Sequence, residues 1–157
     1  MISNSTPIIL LSKINRLILL KKLFSQIIIP EEVSKEVLIE DKPGYLIINR
    51  AIKDGWIKIE NPKNNLELGL GKGENSAINL ARERKDKLII DDALGVKAAK
   101  AFNIEILRTT TLIFMALEKK LLKKDEAILV ANALIENGYY IAPKYYSAII
   151  TKLNTIK

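Results

Sequence analysis

No cysteine and no histidine occur anywhere in this chain of 157 residues. The first absence excludes a disulfide framework and a thiolate nucleophile, and the second removes the imidazole base. Together they exclude a zinc site of the usual nitrogen or sulfur type. Long hydrophobic runs are missing too: Ile8 to Leu11 and Ile27 to Ile29 fall far short of the roughly 18 apolar residues that cross a bilayer. The N-terminus lacks the basic-then-apolar layout of a signal peptide, so a cytoplasmic protein with no membrane partner is expected. Acidic residues are in the minority, with 18 Asp and Glu against 25 Lys and Arg. Any acid–base or metal chemistry must rest on those few carboxylates.

A length of 157 residues suits one domain, and 48% hydrophobic with 27% charged residues is ordinary for a chain that buries its own core. The net charge of +7 attracts nucleic acid or an acidic partner at long range, although many basic domains bind neither.

Short apolar strands alternate with helical patterns along the chain. Ile2-Ser3 is a brief extended segment, and Pro7 stands at a helix start, where its missing N–H costs nothing. Ile8, Leu11 and Ile14, then Leu17, Leu20 and Leu23, recur at helical spacing with a break near Asn15. Strands are expected at Ile27 to Ile29, Trp56 to Ile59, Leu88 to Ile90 and Ile104 to Leu107. Helices are expected over Pro30 to Leu38, Leu46 to Lys53, Ala93 to Ala101, Leu112 to Leu121, Asp125 to Glu136 and from Pro143 onward, with one more after the glycine turn at Gly69, Gly71 and Gly73. The pattern predicts an α/β fold, a mostly parallel central sheet with helices on both faces. It forms a single domain over 1–157, with the helices from about residue 123 as an appended part.

The chemistry concentrates at two places. Gly71-Lys72-Gly73-Glu74 delivers a carboxylate onto a helix start, and the apolar run Leu88-Ile89-Ile90 delivers Asp91-Asp92 at a strand end. Grouped carboxylates bind hard divalent cations through oxygen. In parallel sheets ligands gather at the carboxyl ends of the strands, and Asn4 and Asp91-Asp92, each directly after a strand, are predicted to share that edge. Glu36, on an early helix, can converge there as well.

The ordered segments ISNSTPIILLSKINRLILLKKLF, IIPEEVSKEV, GLGKGENSAINLA and LIIDDALGVKAAKAFNIEILRTTTLI resemble a PIN-domain ribonuclease, more narrowly the DUF3368 type related to VapC toxins. The resemblance runs through about Leu121. It implies an acidic pocket for Mg²⁺ or Mn²⁺, with Glu36, Glu74 and Asp92 as catalytic, metal-binding acids and Asp91 beside them. Thr110 is matched to a polar residue near the same pocket. It also implies RNA as substrate, a small antitoxin protein as partner, and a homodimer, since PIN proteins often dimerise. Where most PIN domains carry an aspartate after the first strand, this chain has Asn4, whose amide oxygen can ligate a metal but brings no charge. Phosphates would be gripped by Lys72, Arg82, Lys97 and Lys100.

Each of these residues also has an ordinary explanation. Glu74 suits the positive end of a helix dipole, and Glu36 suits a solvated surface pair. One of Asp91 and Asp92 is expected to cap the helix at Ala93 while the other faces the pocket, with Asp92 favoured for the pocket by the resemblance. Asn4 could cap the helix at Pro7, and lysines usually belong to a solvated face. Gly69 to Gly73 lacks the terminal Gly-Lys-Ser/Thr of a phosphate-binding loop. A phosphoacceptor reading of the paired aspartates fits poorly, because Ile104 to Leu107 is followed by Arg108-Thr109-Thr110. Two functions stay in view: a metal-dependent endoribonuclease acting as the toxin of a type II toxin–antitoxin pair, and a catalytically weak PIN-like module that binds RNA or a protein partner.

Overall fold

The computed structural model describes residues 1–156. Five strands, β1 (Ile2–Ser3), β2 (Ile27–Ile29), β3 (Ile57–Ile59), β4 (Leu88–Ile89) and β5 (Ile106–Leu107), form one sheet in the order β3-β2-β1-β4-β5, and every pairing is parallel. Successive residues of a strand face opposite sides of the sheet. Ile27, Ile28 and Ile29 are all buried, so helices cover both faces.

The chain runs outward from β1 through β2 to β3, then crosses back to lay β4 on the other side of β1. This reversal makes the crevice between β1 and β4 the topological switch point, where α/β sheets hold their ligands. Ser3 pairs in register with Ile89, and the Asn4 amide donates to the Ile89 carbonyl at 3.0 Å. Asn4 and the Asp91-Asp92 pair therefore leave the sheet side by side.

Nine helices flank the sheet among the described residues: α1 (Ser5–Lys13), α2 (Ile18–Phe24), α3 (Glu31–Val37), α4 (Tyr45–Lys53), α5 (Lys72–Arg84), α6 (Ala93–Ala101), α7 (Thr109–Glu118), α8 (Lys124–Glu136) and α9 (Pro143–Thr155). Ile2, Ile8, Leu11, Leu20, Ile29, Ile78 and Leu88 are fully buried between these layers. α8 packs on α7 and α9 on α8, and Ala127, Val130, Leu134 and Leu153 extend the buried cluster into that corner. No helix among the described residues is long and apolar enough to cross a membrane.

Two helix starts differ from the sequence pattern by more than one residue, while α3, α4 and α8 start within one residue of expectation. α1 begins at Ser5, so Pro7 is its third residue, still within the first turn whose N–H groups have no intrahelical partner. α7 begins at Thr109, three residues before Leu112, because a tertiary contact described below fixes the Thr109 backbone. The break after α1 is where expected, with Asn15 in the left-handed region at φ 56°.

Candidate active site

The segment 61–71 has little regular structure of its own and is tied down by buried asparagines on α5. Asn75 accepts from the Leu68 amide at 2.7 Å and donates to the Leu66 carbonyl at 2.9 Å. Asn79, only 1% exposed, accepts from the Leu66 amide and donates to the same carbonyl and to Asn65 Oδ1. Two asparagines thus imitate a strand partner for the loop and fix the Gly69–Gly71 turn. That turn sets Lys72 and Glu74 on the first turn of α5.

Glu74 is half-buried, and its carboxyl titrates above the ordinary range. Burial is the main cause, the nearby negative charges of Asp92 and then Glu36 add to it, and the Asn4 side chain acts in the opposite sense by hydrogen bonding to the anion. These four side chains, from β1, α3, α5 and the β4–α6 junction, therefore share one electrostatic environment.

Glu36 stands on the last turn of α3 with its carboxylate laid over Gly73. A Cβ built on Gly73 would come within 2.5 Å of Glu36 Oε1 and 2.7 Å of Oε2, so the absent side chain is what admits the carboxylate. Asn4 is 2% exposed and its Oδ1 has no hydrogen-bond partner among the described residues. It occupies the N-cap position of α1 but makes no side-chain cap, so capping does not account for its side chain. A buried acceptor without a donor costs about 1–3 kcal/mol.

Asp92 is the N-cap of α6, its Oδ2 accepting from the Gly95 amide at 2.8 Å. The cap engages one oxygen, and a carboxylate has a second. Asp91 is not brought to the group. Its Oδ1 accepts from the Thr109 amide at 3.0 Å and the Tyr139 hydroxyl at 2.7 Å, and its Oδ2 accepts from Thr109 Oγ1 at 2.6 Å. The division of labour expected between the aspartates is thus revised: Asp92 both caps and lies with Glu74, while Asp91 joins β4 to α7 and to the segment after α8. Thr110 sits on that second side, against Tyr139, whose hydroxyl is held protonated by burial and by the Asp91 charge.

Among the basic residues, Lys72 is exposed beside Glu74. With Lys35, which is hydrogen-bonded to Glu32, it helps hold the Glu32 carboxyl below its ordinary value. Lys97 and Lys100 are exposed on α6. Arg82 is removed from the group: eight residues beyond Glu74, it lies about 12 Å along the helix axis. Its guanidinium stacks on Phe102, 5.2 Å from the ring centroid.

Asn75, Asn79, Thr109 and Tyr139 are the positioning residues that the sequence pattern did not single out. Two asparagines four apart inside a helix of Ala77, Ile78, Leu80 and Ala81 are a legible signal, since asparagine is a poor interior helix former and seeks backbone partners. Tyr139 carries no such signal, because it meets Asp91 only in the folded chain.

The family model for DUF3368, a PIN domain, matches residues 1–155. The chain belongs to this PIN family. Neither the comparison with curated proteins nor that with solved structures returns a match. Membership points to nuclease activity in general; PIN domains generally use divalent metal ions and commonly bind RNA.

Whether a hard cation suits this PIN domain can be judged from its donors. All are oxygens, one of them is a buried amide oxygen without a partner, and the half-buried Glu74 carries repulsion that a cation would relieve. Among the described residues no three acidic side chains are close enough to form a closed metal cage. The donor set fits a hydrated Mg²⁺ or Mn²⁺, ions that keep several waters and take few protein ligands.

Proposed function

We propose that this PIN domain is a metal-dependent endoribonuclease that hydrolyses RNA phosphodiesters and acts as the toxin of a type II toxin–antitoxin pair. The observation that carries the reading is the gathering of Asn4, Glu36, Glu74 and Asp92 around the β1–β4 switch point. The toxin role rests on the likeness of the ordered segments to VapC-related proteins, with a small antitoxin covering the acidic edge and a homodimer as the assembly.

In this reading Glu36, Glu74 and Asp92 hold Mg²⁺ or Mn²⁺, and Asn4 contributes a neutral oxygen. The bound cation supplies charge neutralisation at the phosphate, a more acidic water, and stabilisation of the leaving oxygen. The chain's own part is to orient. The Gly95 amide fixes Asp92, Gly73 admits Glu36, and the asparagine-bound loop fixes Glu74. Lys72, Lys97 and Lys100 bind backbone phosphates, contacts that carry no sequence information. No imidazole is required.

The test is RNA cleavage with Mn²⁺ or Mg²⁺ by the wild type, Glu74→Gln and Asp92→Asn. Loss of cleavage in both variants is expected, whereas equal cleavage by all three proteins overturns the assignment.

Asn4 favours a second reading, a catalytically weak module that binds RNA or a protein. Its neutral side chain gives the group one charge fewer than the aspartate at that place in most PIN domains. Asn4→Asp separates the two: a gain in Mn²⁺ affinity and cleavage supports a nuclease site. If both stay undetectable in that variant, the binding reading holds.

A further inference from the structure

Aromatic side chains are few, yet four of the nine in the chain, Phe114, Tyr139, Tyr140 and Tyr145, line a single cavity of about 550 Å³ between α7, the α8–α9 connection and α9. The volume lies within the range of about 300–1,000 Å³ typical of ligand pockets. Arg108 and Lys152 are also on its wall, and among the described residues no acidic side chain lines it. Tyr140 is 83% exposed and Tyr145 64%, so two large aromatic rings stand in water at the rim. Neither exposure helps the fold.

The cavity is coupled to the acidic edge. Tyr139 donates to Asp91 Oδ1, and Arg108 Nη1 donates to the Asp91 carbonyl at 3.0 Å. Asp91 is the immediate neighbour of Asp92 in the chain, so the cavity wall begins one residue from the candidate active site. Lys152 lies over Phe114 at 4.5 Å from the ring centroid, which keeps a cation at the rim and leaves Tyr140 and Tyr145 as the open aromatic surfaces.

We propose that this cavity holds an unpaired nucleobase of the RNA strand, stacked on Tyr140 and Tyr145, with Arg108 and Lys152 meeting the adjoining phosphates. The proposal rests on the ribonuclease reading for its ligand and adds a subsite to it. Exposed aromatic faces with flanking cations are how proteins take up single-stranded nucleic acid. An apolar protein segment would find the same rings, but the two cations and the absence of any acid favour a polyanion. Its consequence is selectivity: duplex RNA, whose bases are stacked inside, would not reach the cavity.

The test is fluorescence anisotropy in EDTA, so that binding is read without cleavage. The probes are a labelled oligouridine of about eight nucleotides, within the site sizes of single-strand binders, an abasic strand of the same length, and the corresponding duplex. Tyr140→Ala and Tyr145→Ala should each weaken the oligouridine about tenfold and leave the abasic strand unchanged, while the phenylalanine variants retain affinity. Equal binding of oligouridine and abasic strand, with neither affected by the tyrosine substitutions, overturns the proposal and makes the cavity a groove for protein. The cleavage assay is scored separately. Base-dependent binding without cleavage removes the nuclease reading alone, and cleavage without base dependence removes the subsite alone.

Discussion

Gly73 and the carboxylate of Glu36 occupy space that only one of them could hold if residue 73 had a side chain: a Cβ there would lie 2.5 Å from Oε1. Gly73 is helical, so it serves close approach and not an unusual backbone angle. Gly73→Ala should keep the fold and even favour α5, since alanine exceeds glycine in helices by roughly 0.5–1 kcal/mol. The obstructing atom is the end of a flexible side chain, so Glu36 will swing away. Melting temperature is expected to hold or rise while Mn²⁺ affinity, read by calorimetric titration, falls by about 10–100-fold, the usual effect of disturbing a residue that orients a ligand. Unchanged affinity would remove Glu36 from the metal site.

The two adjacent aspartates should separate cleanly on mutation. Asp91→Ala strands the Thr109 amide, the Thr109 hydroxyl and the Tyr139 hydroxyl, at a cost of roughly 2–4 kcal/mol for hydrogen bonds to a charged acceptor. Asp92→Asn leaves a side chain that caps a helix equally well, so denaturant midpoints should barely move. Metal binding should follow the opposite order, lost in the second variant and retained in the folded fraction of the first.

Glu74 predicts a pH dependence of the metal-free protein. Its folded-state carboxyl lies above the ordinary value of 4.5, so the folded form binds this proton more tightly than the unfolded chain does. Below about pH 4.5 both forms are protonated and the group costs nothing. As pH rises through that value the unfolded chain ionises first, and stability declines until the folded carboxyl has ionised too. Glu74→Gln should therefore melt higher than the wild type at pH 7 in EDTA and equally near pH 4. Because Glu74 is only half-buried, solvent screening keeps the gain small. Saturating Mn²⁺ should reverse the order at pH 7, by stabilising the wild type alone. A gain that persists at pH 4 would assign it to packing instead.

Asn79→Ala should release the loop before α5. The Leu66 amide loses its side-chain partner and the Leu66 carbonyl keeps only Asn75, for an expected destabilisation of about 1–3 kcal/mol. Hydrogen exchange should speed up at the Leu66 and Leu68 amides well before the β1 and β4 amides respond. Uniform acceleration across the sheet would show that the loop and the core open together.

The sheet was legible in the sequence because its strands are short β-branched or aliphatic runs ended by proline, turn or acid, as at Ile27 to Ile29 before Pro30. α6 was legible to the residue, since Asp92 caps its start and four alanines with two lysines outweigh Gly95 and Val96 within it. The start of α7 was not, because Thr109-Thr110-Thr111 are poor helix formers whose first member is held by Asp91. Sequence placed a group of acids at one sheet edge, and the spacing of Glu74 and Arg82 along one helix already implied that they stand apart. What spacing could not give was the direction of Asp91, decided by partners far along the chain at Thr109 and Tyr139.

The placement of β1 in the middle of the sheet bears on the order of synthesis. β1, made before the other four strands of the sheet, pairs on one side with β2 and on the other with β4, which is made much later. Until then β1 has one bare edge, and Asn4 faces neither Glu74 nor Asp92. The nascent chain therefore carries the acids one by one without an assembled site. The acidic edge of this PIN domain is thus complete only once β4 and its aspartates have been made.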